Sequence, residues 1–544
     1  MSSETVTTPE QQPKSVARAS GGMAIATIVS RVTGLLSKLL VAAAIGVGIP
    51  LDAYTIANTL PTVINELLLG GVLTSVAIPL LVRAQKEDAD HGESYAQWMI
   101  TMGTALLGIA TIASVVAAPW LTRLYISKDK MASLELATVF SYLILPGIVF
   151  YGLSALLGAV LNAKEIFGPP AWAPVMNNVI VIVTVIAYMI VPGEMSLNPV
   201  HMGDVKVLVL GIGTALGVGV QTAVMVPALL KTGFRFRWKW GWDRRLSEFG
   251  GLALWVLLYT VVSQVGMIVT LRVANAGDNG GVGIFTYAWL LSQVPYGVLG
   301  VSLLTALMPR MSRAAADHDN DALVRDLAFG NRMSSVLLMP IAALMTIAGP
   351  SIGVMLFAFG RTDVAAAGQI GMALALSAFG LVPFAITMMQ LRVFYALKDA
   401  RTPTLINLIM VVFRIAISLW FLSVADRDEL AVAASIAMAL SFVVGAIVGQ
   451  VWLRIRLGRL RTGYTIWTVC LTIVASAIAC AVAMGAAKGL IPVLGITGPT
   501  AQAWFKVVVE SLIVLGLSFG LLALFRVPEM KPAVDKISRL VRRR

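Results

Sequence analysis

Fourteen runs of apolar residues, most of them twenty residues or longer, leave this chain few ways to fold. A helix rising about 1.5 Å per residue needs roughly 20 residues to cross a hydrocarbon core of about 30 Å, so the runs have the length of membrane spans. No water is available there for backbone N–H and C=O groups, so each run must close its hydrogen bonds within itself, as a helix. Composition agrees: 58% of the 544 residues are hydrophobic, 13% are charged, and the mean hydropathy is +0.85, well outside the range of soluble globular chains. The expected fold is therefore an all-α polytopic membrane protein with fourteen transmembrane helices. An even number places both termini on one side. Most of the 41 Lys and Arg fall in alternate loops and in the two tails, and the positive-inside rule makes that side cytoplasmic.

The net charge of +13 is read as this orientation signal together with attraction to anionic membrane lipids. Nucleic acid is not an expected partner, because the bases are spread over every inner loop. One segment mixes bases with aromatics, Phe234-Arg235-Phe236-Arg237-Trp238-Lys239-Trp240, and Trp beside Lys and Arg marks an interfacial anchor. The first run is long and broken by charge, which reads as a retained helix rather than a removable leader. Cys470 and Cys480 share one predicted helix at a spacing that disfavours a disulfide. His91, His201 and His318 lie in loops or at helix edges without metal-ligand spacing, and the glycines from Gly211 to Gly217 suit helix packing better than a phosphate loop. No nucleotide motif is present, so neither a cofactor, nor a metal, nor an enzyme activity is expected.

Function is sought instead where charge enters the runs. Arg31 and Lys38 fall in the first (22–46) and Glu66 in the second (51–82), while Arg392, Arg414 and Lys506 lie in later ones. A charge at the centre of a spanning helix costs roughly 2.5–3.5 kcal/mol on insertion scales, so it faces a cavity or a partner. Arg31 and Lys38 are seven residues apart and share a helix face. Arg31 and Glu66 lie at similar depth on either side of the turn around Pro50, roughly 22 Å from it. Two readings stand: a structural Arg31–Glu66 ion pair, or a polar binding cavity with Lys38 and Asn58 at a shallower level.

The runs also contain a repeat. Pro79-Leu80-Leu81-Val82-Arg83-Ala84 recurs 230 residues later as Pro309-Arg310-Met311-Ser312-Arg313-Ala314, and Ala163-Lys164-Glu165 has a counterpart in Ala396-Leu397-Lys398. The expected organisation is a cytoplasmic tail (1–21), a six-helix lobe (22–230), a basic aromatic linker (231–248), a second six-helix lobe (249–453), two extra helices behind a basic loop (454–525), and a basic tail (526–544). Six being even, the two lobes share orientation, as in transporters with parallel repeats. Prolines within runs (Pro61, Pro146, Pro295, Pro340, Pro383) and Gly70-Gly71 are the expected kinks.

Several motifs taken together carry a family resemblance. Ser30-Arg31-Val32-Thr33-Gly34, Leu51-Asp52-Ala53-Tyr54, Pro295-Tyr296-Gly297-Val298-Leu299-Gly300 and Phe394-Tyr395-Ala396-Leu397-Lys398-Asp399-Ala400-Arg401-Thr402-Pro403 resemble the MurJ (MviN) lipid II flippase family of the MOP exporter superfamily. The run from Asn162 to Val175 looks most like its actinobacterial branch, whose members often continue into a cytoplasmic pseudokinase region, whereas this sequence ends at Arg544. The resemblance implies a MATE-like fold of two lobes around a cationic cavity, with a hydrophobic groove on the two extra helices. Alternating access would move lipid II, an undecaprenyl-pyrophosphate-linked muropeptide, from the inner to the outer leaflet.

Carried onto this chain, the resemblance makes Arg31 and Asp52 substrate-site residues, with Lys38, Asn58, Asn65, Glu66 and Arg414 beside them, and Arg392, Lys398, Asp399 and Arg401 as a gating or loop motif. Two family arginines are replaced, one by Asn65 and one after Tyr287-Ala288, where Trp289 follows; Lys38, Arg392 or Arg414 would then supply the charge. Expected partners are lipid II, anionic lipids and cell-wall synthesis or division proteins. The alternative of the same fold is an exporter of another polyprenyl-linked oligosaccharide. Organic-cation export is disfavoured by a base at the depth of Glu66, and a membrane glycosyltransferase by the shortness of the outer loops.

Overall fold

In a computed structural model the described residues are 12–70, 78–127, 129–197, 200–241, 250–460, 462–531 and 535. The start of the N-terminal tail, Gly71, part of the linker and most of the last thirteen residues lie outside them. Every regular element among them is helical. Twelve helices have the length and apolarity of membrane spans, or thirteen if one bent pair is a single span. The expected fourteen is not confirmed, since residues 71–77 of the second run lie outside the described residues.

The helices are α1 (Gln12–Ile45), α2 (Ile49–Asn65), α3 (Ile78–Glu87), α4 (Glu93–Val116), α5 (Ala118–Tyr125), α6 (Met131–Ile144), α7 (Gly147–Ala163), α8 (Gly168–Ile190), α9 (Val205–Ala223), α10 (Met225–Leu230), α11 (Gly250–Ala276), α12 (Gly281–Pro295), α13 (Val301–Ala316), α14 (Asn320–Phe357), α15 (Val364–Ser377), α16 (Leu381–Ala396), α17 (Arg401–Val424), α18 (Leu430–Leu457), α19 (Thr462–Val493) and α20 (Pro499–Leu524). They form two units. The first is Met1–Ala44, Ala53–Arg123 and Lys130–Leu257; the second is Ile45–Asp52, Leu124–Asp129 and Leu258–Arg544. The division falls inside α11, and two short segments from early in the chain belong to the second unit.

Within each unit the same irregularities recur at the offset of the sequence repeat. A π-helical turn, Glu66–Gly70, follows α2, and another, Tyr296–Gly300, follows α12. Such a turn widens the helix, and here each lies just after a proline-bearing segment, Pro61 in α2 and Pro295 in α12. The fourth run is bent by 46° between α6 and α7, and its counterpart is broken by a 3-10 turn, Ala378–Gly380, between α15 and α16. Beyond these, Glu165 and Lys398 both take left-handed backbone, φ 60° and 58°. Side chains repeat as well. Asn178 of α8 donates to the Ser30 carbonyl (3.0 Å) and Thr33 Oγ1 (3.1 Å) of α1; Asn407 of α17 donates to the Tyr259 carbonyl (3.1 Å) and Ser263 Oγ (2.8 Å) of α11.

Close packing in lipid comes from small residues. On α14, Cβ atoms at Gly349 and Gly353 would lie 2.6 and 2.2 Å from the carbonyl oxygens of Gly371 and Ala367 on α15. The two extra helices join the second unit through α14: Leu344 and Ala348 pack with Cys480 and Ala483 of α19 and Val514 of α20, and Arg332 pairs with Glu529 beyond α20. In the first unit the linker runs along α4. Trp98 Nε1 donates to the Gly241 carbonyl (2.7 Å) and the Lys239 amide to Thr101 Oγ1 (3.1 Å), leaving Trp238 and Trp240 exposed.

Asp399 ties three helices at the loop after α16. Its carboxylate accepts from the Thr402 amide (3.0 Å) and hydroxyl (2.8 Å) at the start of α17 and from Arg456 Nη1 (2.7 Å) at the end of α18. Burial works to raise the carboxyl, but the Thr402 bonds and the Arg456 guanidinium outweigh it and hold Asp399 below the ordinary carboxylate range. A carboxyl lowered by folding contributes stability that is fully present above its unfolded value of about 3.9 and lost as pH falls through the folded value. Asp399→Asn should therefore unfold at lower temperature than the parent at neutral pH, with the gap closing towards pH 3. Thermal melts across pH check it: a gap independent of pH would remove the charged clamp.

Candidate functional site

The first unit presents a cation on α1. Thr33 and the Ser30 carbonyl face α8 through Asn178, and Gly34 lets that amide approach, its would-be Cβ lying 3.3 Å from Asn178 Nδ2. Arg31 points elsewhere: its side chain is exposed and makes no hydrogen bond or ion pair among the described residues. Lys38, two turns further along the same face, is half-buried and partnered.

On α2, Asn58 is half-buried, as is Asn65, whose Oδ1 has no hydrogen-bond partner, and Glu66 is exposed. The expected Arg31–Glu66 salt bridge is thus not formed. Its derivation assumed a continuous α-helix, whereas the π-helical turn begins at Glu66 itself and redirects the side chains from there on. Below this level α2 is held by the Tyr54 hydroxyl on Thr214 Oγ1 of α9, at 2.9 Å.

Asp52 departs from expectation. It is 1% exposed. Its carboxylate accepts from the Gly280 amide (3.0 Å) and the Gly283 amide (2.9 Å) at the N-terminus of α12. A carboxylate there satisfies amides that the helix cannot pair internally and complements the helix dipole. Glycine is required at Gly280, with φ 99° and a would-be Cβ 2.6 Å from Val47 Cγ1. Both partners belong to the second unit, although the rest of α2 belongs to the first.

The other anticipated cations of the second unit separate by burial. Arg392 of α16 is exposed and within electrostatic reach of Tyr259, Tyr296 and Tyr395. Lys398 and Arg401 are exposed beside the Asp399 clamp. Arg414 is buried in the wall of a cavity of about 210 Å³ that Trp289 also lines. A larger apolar cavity of about 400 Å³ opens between α16, α18 and α19, lined by residues such as Ile386, Val443, Ile447, Val451, Ile466 and Val469. At its base Gln390 Nε2 donates to Gln450 Oε1 (3.2 Å), and Gln450 Nε2 to Thr462 Oγ1 (2.9 Å). No cluster of metal ligands occurs among the described residues.

Two features escaped the sequence reading. Glu510 of α20 is a carboxyl 5% exposed whose Oε2 has no hydrogen-bond partner; the rule that singled out Arg31 applies to it equally. The paired asparagines Asn178 and Asn407 would have emerged from aligning the two halves position by position.

The family model described as lipid II flippase MurJ matches residues 41–500. A lipid II flippase MurJ of Burkholderia cenocepacia is 28% identical over 386 residues, covering 69% of this chain and 72% of its own. A probable lipid II flippase MurJ of Vibrio cholerae is 26% identical over 430 residues, covering 77% and 80%. Among solved structures, a lipid II flippase MurJ in an inward closed conformation superposes with a TM-score of 0.71 at 18% identity, over 92% of this chain and 98% of that one. An inward-facing MATE family multidrug transporter of the MOP superfamily superposes with a TM-score of 0.65 at 16% identity, over 82% and 99%. With its all-helical build, its exposed intramembrane arginine and a family match over most of its length, the chain belongs to the MurJ family of lipid II flippases.

Proposed function

We propose that this protein carries lipid II from the inner to the outer leaflet by alternating access, as a transporter rather than an enzyme, in the cell membrane with both termini cytoplasmic. The observation that carries the reading is Arg31, an exposed guanidinium without a protein partner among the described residues in a membrane span. A guanidinium in a site of low dielectric grips a phosphate through two parallel charge-assisted hydrogen bonds, and a polyprenyl pyrophosphate offers such oxygens. Lys38 and Asn58 would extend the polar surface towards sugar and peptide. The apolar cavity beside α19 offers side chains like lipid and suits a polyprenyl chain. Anionic lipids on the basic inner loops and cell-wall synthesis proteins are the partners this role calls for.

Among the described residues Arg31 makes no hydrogen bond or ion pair, so its loss should be read in transport alone. In proteoliposomes carrying labelled lipid II, Arg31→Ala should slow translocation at least tenfold at unchanged folded yield, and Arg31→Lys should recover part of it because an ammonium lacks the planar fork. An unrelated polyprenyl-linked glycan should compete poorly. Unimpaired Arg31→Ala would discard the phosphate grip, and equal transport of both glycans would favour the broader exporter.

Asp52 is assigned to closure, the state in which its two bonds hold the first turn of α2 to the start of α12. Asp52→Ala removes both bonds to the start of α12 and should cost about 3–6 kcal/mol, at about 1.5–3 kcal/mol for each hydrogen bond to a charged group. Translocation should fall with it, and Asp52→Glu should restore only part of it, since an added methylene displaces the carboxylate from the two amides it meets at 3.0 and 2.9 Å. Thermal melts paired with the translocation assay check both; a fully active Asp52→Ala would remove the closure role.

A further inference from the structure

The second unit encloses a cation that the proposed lipid path leaves unused. Arg414 sits midway along α17 and is 7% exposed. Of the five N–H donors of a guanidinium, one from Nη1 reaches Met438 Sδ at 2.8 Å, and a thioether is a weak acceptor. Nε has no acceptor at all, and no carboxylate pairs with Arg414 among the described residues. Gly266 of α11 makes room for it, since a Cβ there would lie 1.9 Å from Nη2. The guanidinium is thus held in place by shape while its charge stays uncompensated, an arrangement that the cost of burying an ion makes unstable unless a counter-charge is supplied.

The cavity beside it says what can supply that charge. Its volume is about 210 Å³, and Ser263, Asn407 and Trp289 line it together with Met267, Met438 and Phe442. The Asn407 amide is committed to Tyr259 and Ser263, so Ser263 Oγ, already an acceptor, has its own proton to offer. We propose that Arg414 and Ser263 form a binding site for a small monovalent anion of the halide class. One guanidinium balances one negative charge. Thioether and ring walls suit a polarisable, weakly hydrated ion, and a single positive charge does not balance a phosphate dianion. A disaccharide-peptide headgroup is far larger than the cavity, and the site holds whichever lipid the protein carries.

The test uses the full chain in nanodiscs, with chloride exchanged for gluconate at constant ionic strength. The unfolding midpoint of the parent protein should climb by several degrees with the logarithm of chloride concentration, and Arg414→Met, matched to the methionine-rich wall, should lose that dependence. Equal midpoints in chloride and gluconate, or a chloride dependence undiminished in Arg414→Met, overturn the site. If Arg414→Met does not fold, crystals of the parent grown in bromide decide. An anomalous peak beside the Arg414 guanidinium supports the proposal, and none there overturns it.

Discussion

Everything in this fold depends on backbone hydrogen bonds having no substitute in lipid. A continuous helix satisfies the condition at no cost, so each interruption has to be answered by another group. At the start of α12 the answer is the Asp52 carboxylate, brought from a distant part of the chain to two amides that the helix leaves open. Around the loop after α16 it is Asp399, which takes the Thr402 amide and recruits Arg456. The interruptions are therefore where the chain is most specified, and where side chains with chemistry to offer collect.

The repeat shows how specific this is. Both units place a π-helical turn after the second helix, a break within the fourth, and an asparagine clamp between the first and fifth. Duplicated backbone then carries divergent chemistry. Arg31 follows the carbonyl that Asn178 clamps, and Thr260 follows the one that Asn407 clamps. The first unit keeps its guanidinium exposed on α1, whereas the second buries one on α17. An exposed cation can meet a ligand as large as a lipid headgroup; a buried one can meet only what fits beside it.

Much of this was legible in the sequence. Run length and hydropathy are one-dimensional properties, and so the helices, the repeat and the polar intrusions at Arg31, Lys38 and Arg414 could be read directly. Side-chain partnership could not. The Arg31–Glu66 pair rested on an ideal helical rise, and a π-helical turn that no hydropathy pattern reveals redirected Glu66. Asp52 resembled a substrate residue by its motif, yet its partners are backbone amides of Gly280 and Gly283, groups that carry no sequence signal. Glu510 was within reach of the same reasoning that found Arg31 and was passed over.

The Asp52 contact also has the right size for a switch. A hydrogen bond to a charged group contributes about 1.5–3 kcal/mol, so two of them hold the start of α12 with roughly 3–6 kcal/mol. Reversing a two-state population from 1:99 to 99:1 takes about 5.5 kcal/mol of differential binding. Asp52 lies in the first turn of α2 and its partners at the start of α12, so a displacement of that turn from α12 has to give up those bonds. A much stronger connection would trap one state and a single neutral bond would hold neither. In the proposed transport cycle, two charge-assisted bonds from one short carboxylate would leave the balance to be tipped by a substrate whose phosphates add contacts of the same kind.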